Sequence, residues 1–229
     1  MNSTSEQQDA QHLRMTTAPV PGLILSLSVP SIITCIITSV YNMADTFFVA
    51  QLGTAAVAAV GVVFSISSVL SALGFWMGTG GSSLVSLYLG AREKEKAHCA
   101  ASTGFFLALG LGGVIAAGGL LALEPLMRLL GTPENVFADS QLYLNVYIGG
   151  LTFLFLYNIC TGVFTALGDS RTPLYFLIAS SLANIVMDVV FVVCFHMGVG
   201  GVAWATFLCQ GVSCVLALDR KSTRLNSSH

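Results

Sequence analysis

The chain has 229 residues, 55% of them hydrophobic and 9% charged, with a formal net charge of -2 and a mean hydropathy of +0.81. A soluble domain carries about 25% charged residues, so this balance excludes an ordinary water-soluble globular domain. The informative count is of membrane spans, each needing roughly 20 apolar residues, and no nucleic-acid partner is expected.

Residues 1–22 are polar and lack the basic-then-short-apolar pattern of a cleaved signal peptide, so they read as a cytoplasmic tail. Apolar length then predicts six spans, at about 23–50, 55–83, 97–123, 136–164, 173–195 and 199–218, joined by short loops. This is an all-α membrane protein, a six-transmembrane-helix bundle. The final stretch, 219–229, reads "DRKSTRLNSSH", an abrupt polar end that matches one translated frame of a sequencing-library adapter. It is expected to be non-native, with the membrane lobe itself covering 23–218.

Lysine and arginine placement sets the expected orientation. Arg14, Arg92, Lys94, Lys96 and Arg171 fall on one side of the six spans, and only Arg128 on the other. The positive-inside rule therefore puts the N-terminus in the cytoplasm of a cell expressing this protein in its plasma membrane. Glycines such as Gly74 and Gly78, in a GxxxG spacing, and those of the third span are read as close-packing positions. "GTGGSS" at 78–83 lacks the lysine and the preceding strand of a phosphate loop. The six cysteines are scattered and show no CxxC or CxxH pairing, so neither a zinc site nor a disulfide framework is indicated.

The chemistry lies in the exceptions to apolarity. Asp45 sits within the first span, where an isolated carboxylate costs several kcal/mol, so it requires a partner. One other acid lies well inside a span, Asp188 of the fifth, with Asn184 one turn before it. At ~1.5 Å rise per residue, Asp45 stands roughly 33 Å along the first span, Asp188 roughly 22 Å along the fifth and Thr206 about 10 Å down the sixth. All fall toward the outer half of the membrane, so a single cluster is expected. Thr34, Thr38, Tyr41 and Asp45 form a polar stripe on the first span, facing a bundle interior or cavity. Pro30 on the same helix removes a backbone hydrogen bond and permits a bend; a fixed kink is the alternative. Two nearby carboxylates in low dielectric require a cation or a shared proton, which suits ion coupling; a static polar clamp between helices is the alternative.

Taken in order, "VPSII" with Pro30, "YNMADTFFVAQLG" from Tyr41, "LGAREKEKA", "TALGDSRTPLYF" from Thr165, "NIVMD" from Asn184 and "GVGGVAWAT" from Gly198 resemble the multidrug and toxic compound extrusion (MATE) family of secondary transporters. The resemblance covers about 23–218 and implies one lobe, the N-terminal one, of a twelve-helix transporter. The C-terminal lobe is then a missing partner. It implies cation coupling, by H+ or Na+, at Asp45, Asn184, Asp188 and Thr206, where a Na+ ion would bind. It further implies a substrate cavity touching Thr38, Tyr41 and Asn158, a hinge at Pro30, and small organic molecules as cargo. No cofactor and no enzymatic activity are expected.

Three other readings stand beside this one. A flippase for lipid-linked sugars would need a basic cavity, and no lysine or arginine lies inside any predicted span. An intramembrane aspartyl protease could use Asp45 and Asp188 as a dyad, but its GxGD motif is absent and Gly168–Asp169 falls in a loop. A half-size structural membrane subunit that dimerises is the third alternative.

Overall fold

The computed structural model describes residues 19–169 and 171–226; Arg14, most of the polar tail, and the last three residues lie outside the described residues. The described chain is helical almost throughout, as α1 (Val20–Gln51), α2 (Thr54–Gly90), α3 (Lys94–Leu129), α4 (Glu134–Gly149), α5 (Leu151–Ala166), α6 (Arg171–Asp188) and α7 (Gly198–Asn226). A six-residue π-helical segment, Val189–Cys194, continues α6. Five elements are long and apolar enough to cross a membrane, and six spans result when α4 and α5, bent by 46°, are taken as one.

That bend corrects the expectation of an uninterrupted fourth span. Gly149 and Gly150 stand at the break, and two consecutive glycines weaken a helix by roughly 1 kcal/mol each. A Cβ at Gly150 would lie 2.9 Å from Cδ2 of Phe207 on α7, so a side chain there would force that ring to shift. The sixth span, Gly198–Asp219, ends within a residue of the expected 218, although its backbone stays helical to Asn226. No proline or glycine occurs from 219 to 226, so nothing stops a helix already nucleated upstream. α1 passes through Pro30 as one helix, and α3 likewise contains Pro125.

α5 is the central element. It packs against α2, α3 and α7, and Leu151, Phe155, Leu156 and Ile159 form the middle of the core with Ala108 of α3 and Cys214 of α7. Close approach to α2 is set by Gly78, whose added Cβ would meet the Asn158 carbonyl oxygen at 2.7 Å, and by Gly74, which faces Phe155 at 2.9 Å. In α3 the glycines divide: Gly112 and Gly119 face neighbours, whereas Gly110, Gly113 and Gly118 face open space. Packing thus accounts for only part of that glycine-rich helix.

α1 lies at the edge of the bundle, chiefly against α6. Its outer face is apolar and exposed, with Ile32, Ile36, Val40, Met43 and Phe47 all pointing away from the other helices. Such a face suits hydrocarbon or an apolar partner. None of the six cysteines, all among the described residues, is joined in a disulfide.

Candidate functional site: a buried carboxyl pair bridged by an amide

Three helices converge on one polar cluster. α6 contributes Asn184 and Asp188, a turn apart and only 2% and 0% exposed. α7 contributes Thr206, also buried, and α1 contributes Asp45, half-buried on the face that meets α6. The side-chain amide of Asn184 ties them together. Oriented so that its oxygen meets a donor and its nitrogen meets acceptors, Nδ2 donates to Asp45 Oδ1 at 3.1 Å and to Asp188 Oδ2 at 3.0 Å. Its oxygen accepts from the Thr206 backbone N–H at 3.2 Å. The backbone donor fixes the choice, because the opposite orientation would set an NH2 against an N–H. The four residues expected to meet, Asp45, Asn184, Asp188 and Thr206, are therefore brought together.

Two phenols complete the cluster. Tyr41, one turn before Asp45, lies within hydrogen-bonding reach of the Asp45 carboxyl and of Thr206. Tyr143 of α4 reaches Thr206 as well and feels the charges of both acids. Tyr143 was not singled out from sequence. The signal for it is Ser140, Tyr143 and Tyr147, spaced three and four apart, a polar stripe of the kind that marks α1. Tyr147 in turn hydrogen-bonds Ser71 of α2 at 2.6 Å, and Ser140 donates to the Ala59 carbonyl at 3.2 Å.

The cluster is asymmetric along the membrane normal. Val49 follows Asp45 by one turn, Val192 follows Asp188 by one turn, and Val202 precedes Thr206 by one turn. These three buried valines pack together with Val199 and Ala56. Toward the α1–α2 loop, then, the acids are capped by an apolar layer. In the opposite direction stand Tyr41 and buried Ser181.

Asp188 Oδ1 is buried and has no hydrogen-bond donor. An anionic oxygen so placed is expensive, and the acid facing it is Asp45. A proton on one of the two carboxyls, or a cation between them, supplies what the protein's own donors do not. The donor set is of hard oxygens, and no group of three or more His, Cys, Asp and Glu gathers among the described residues.

The other residues singled out from sequence lie away from this cluster or are committed locally. Thr34 Oγ1 donates to the Pro30 carbonyl and Thr38 Oγ1 to the Thr34 carbonyl, both at 2.9 Å, so these hydroxyls bond their own helix. Asn158 donates from Nδ2 to the Leu154 carbonyl at 2.8 Å and sits in the α2–α5 contact. Pro30 is roughly 22 Å along α1 from Asp45.

Comparison with known proteins gives a consistent result. The family model MatE matches residues 30–190. The chain is 33% identical over 181 residues to the probable multidrug resistance protein YpnP of Bacillus subtilis (strain 168), covering 78% of this chain and 40% of that protein. It is 26% identical over 174 residues to a FAD transporter of Shewanella oneidensis, covering 76% of this chain and 38% of the relative. Among solved structures it is similar to an outward-facing multidrug resistance MATE family transporter of the MOP superfamily, with a TM-score of 0.83 and 31% identity over 85% of this chain and 43% of that one. The chain thus spans about 40% of the length of the curated relatives it matches, and those relatives are transporters rather than enzymes. Carried by the helices that bring Asp45 to Asp188, and matched over most of its length, the chain belongs to the MatE family of multi-pass membrane transporters.

Proposed function

We propose that this chain is one lobe, the N-terminal one, of a cation-coupled antiporter that exports amphipathic or cationic organic compounds across the plasma membrane, with its N-terminus in the cytoplasm. The observation that carries the reading is the buried pair Asp45 and Asp188, on separate helices and joined by the single amide of Asn184. An ion that binds between two helices changes the free energy of holding them together. Differential binding of that kind is what couples an ion to alternating access.

The arrangement supports a proton as the coupling ion in this conformation. The amide offers hydrogens to both acids and spends its oxygen on Thr206, and a proton on one carboxyl gives Asp188 Oδ1 its missing partner. Sodium at Asp45, Asn184, Asp188 and Thr206 would need the amide oxygen turned toward the ion, at the cost of the Thr206 bond. In this scheme Thr206 and the phenol of Tyr41 orient the acids, and Pro30 lets α1 move away from α6 when the ion arrives. In this reading cargo binds between this lobe and a second, C-terminal lobe, beside Thr38 and Tyr41 of α1, while Asn158 is held in the α2–α5 contact behind that surface. The cargo class rests on the named functions of the relatives, which extend from multidrug resistance to FAD.

The test is substitution in the complete transporter expressed in an efflux-deficient host. Asp45→Asn and Asp188→Asn should each abolish drug resistance while membrane levels stay unchanged. Efflux that persists in either variant would refute the coupling role. A proton gradient alone, with sodium absent, should drive uptake of a cationic dye into inverted vesicles; strict sodium dependence would reassign the ion.

A further inference from the structure

A cavity of about 480 Å³ opens on the bundle surface between α2 and α3, remote from the carboxyl cluster. Its walls are parallel stretches of the two helices, from Met77 to Tyr88 on α2 and from Lys96 to Leu107 on α3. Each stretch spans eleven residue steps, so the groove is roughly 16 Å long. That is about half of a ~30 Å hydrocarbon core, the depth of one leaflet. The floor is Ile159 of α5, reached because Gly80, Gly81 and Gly104 leave the walls without side chains.

The two ends differ in chemistry. The deep end is closed by Met77 and Leu107, both apolar. The mouth carries Tyr88 and Lys96 and lies beside the α2–α3 connection, where Arg92, Glu93, Lys94 and Glu95 are all exposed. Glu93 fixes the Lys96 ammonium at 2.9 Å without enclosing it, since the lysine side chain remains 61% exposed. An ammonium has three hydrogens to donate, so two stay free for an anionic oxygen. With Arg92 and Lys94 alongside, the mouth has three cations against two carboxylates.

We propose that this groove is a binding site for one anionic phospholipid, its acyl chain laid between α2 and α3 and its phosphate on Lys96. Length, polarity gradient and charge all match that occupant. A zwitterionic lipid fits the slot but gains less at the mouth, where each lysine near an anionic headgroup contributes about 1 kcal/mol, roughly a fivefold preference. The site does not depend on the coupling role of Asp45 and Asp188.

Cys99, exposed on the groove wall one turn from Lys96, provides the reporter. The detergent-solubilised 229-residue chain is stripped of lipid and supplied with phosphatidylglycerol or phosphatidylcholine. Maleimide labelling of Cys99 is followed by peptide mass mapping, with exposed Cys35 of α1 as the internal control. Phosphatidylglycerol should slow Cys99 labelling at concentrations about fivefold or more below those needed for phosphatidylcholine, leaving Cys35 unaffected. Lys96→Gln should remove the difference between the two lipids. Gly80→Leu with Gly104→Leu should fill the slot and abolish protection by either. These leucines should not unfold the lobe, because a Cβ at Gly80 meets nothing within 4 Å and one at Gly104 meets Ile159 at an ordinary 3.6 Å; helicity by circular dichroism checks this. Equal protection by both lipids, no protection by either, or protection that survives the leucine variant would each overturn the proposal.

Discussion

At the scale of single residues, Asn184 decides whether the acid pair is tolerable. Its one amide satisfies an oxygen of Asp45, an oxygen of Asp188 and a backbone N–H of α7, so three helices depend on it. Asn184→Leu leaves those groups without their partner inside the bundle, and each buried group so orphaned costs about 1–3 kcal/mol. The expected outcome is a clear fall in thermal midpoint of the detergent-solubilised protein. Thr34→Val is the matched control, because that hydroxyl bonds its own helix at the edge of the bundle and its loss should stay within about 0.5 kcal/mol. Equal destabilisation by the two changes would show that the bridge carries no special weight. Why Asp45 and Asp188 were legible in sequence, and Tyr143 was not, follows from the same energetics. A charge in an apolar run demands an explanation, whereas a phenol buries most of its surface as a hydrophobe and raises no alarm.

At the scale of helices, contact distance is set by which face of each glycine meets a neighbour. α2 and α5 approach until a Cβ at Gly78 would touch the Asn158 carbonyl oxygen, a backbone group that cannot swing aside. Gly78→Val must therefore push the helices apart and lose the packing of Phe155 and Ile159 around it, a cost of about 2–5 kcal/mol by analogy with other core disruptions. Gly113 faces open space, so Gly113→Ala should be tolerated and should gain up to about 1 kcal/mol of helix propensity. Unfolding midpoints of the two variants should move in opposite directions. The GxxxG spacing made the first of these contacts readable, but spacing alone does not separate Gly112, which meets Thr152, from Gly113 beside it. The bend at Gly149–Gly150 and the π-helical turn after Asp188 were likewise beyond a length-based reading. "VVFVVC" is as apolar as a regular helix, and Phe191 within it lies so close to Gly201 of α7 that an added Cβ there would meet the Phe191 Cβ at 3.1 Å. The position of this segment directly after Asp188 is in keeping with the tendency of π-turns to mark functional positions.

At the scale of the whole molecule, the helices are long and apolar enough for five crossings, or six with the bent pair as one, and charge placement supports the direction proposed for them. Lys94 and Lys96 begin α3 and Arg171 begins α6, so described cations gather at one end of the bundle. Arg128, at the other end, is neutralised locally. Its guanidinium holds Glu124 at 3.0 Å and approaches Glu134 at 3.9 Å, and it lies 5.2 Å from the centre of the Phe137 ring. An arginine so engaged presents little free charge to the membrane surface and does not oppose the orientation proposed for this lobe. The consequence is testable with a thiol reagent that cannot cross membranes. Glu95→Cys should label only after the cells are permeabilised, and Glu134→Cys, on a side chain 89% exposed, should label in intact cells. Both positions lie at the first turn of a helix, so neither substitution removes a core contact. If the pattern is reversed, the N-terminus is outside and the valine layer over Asp45 and Asp188 faces the cytoplasm.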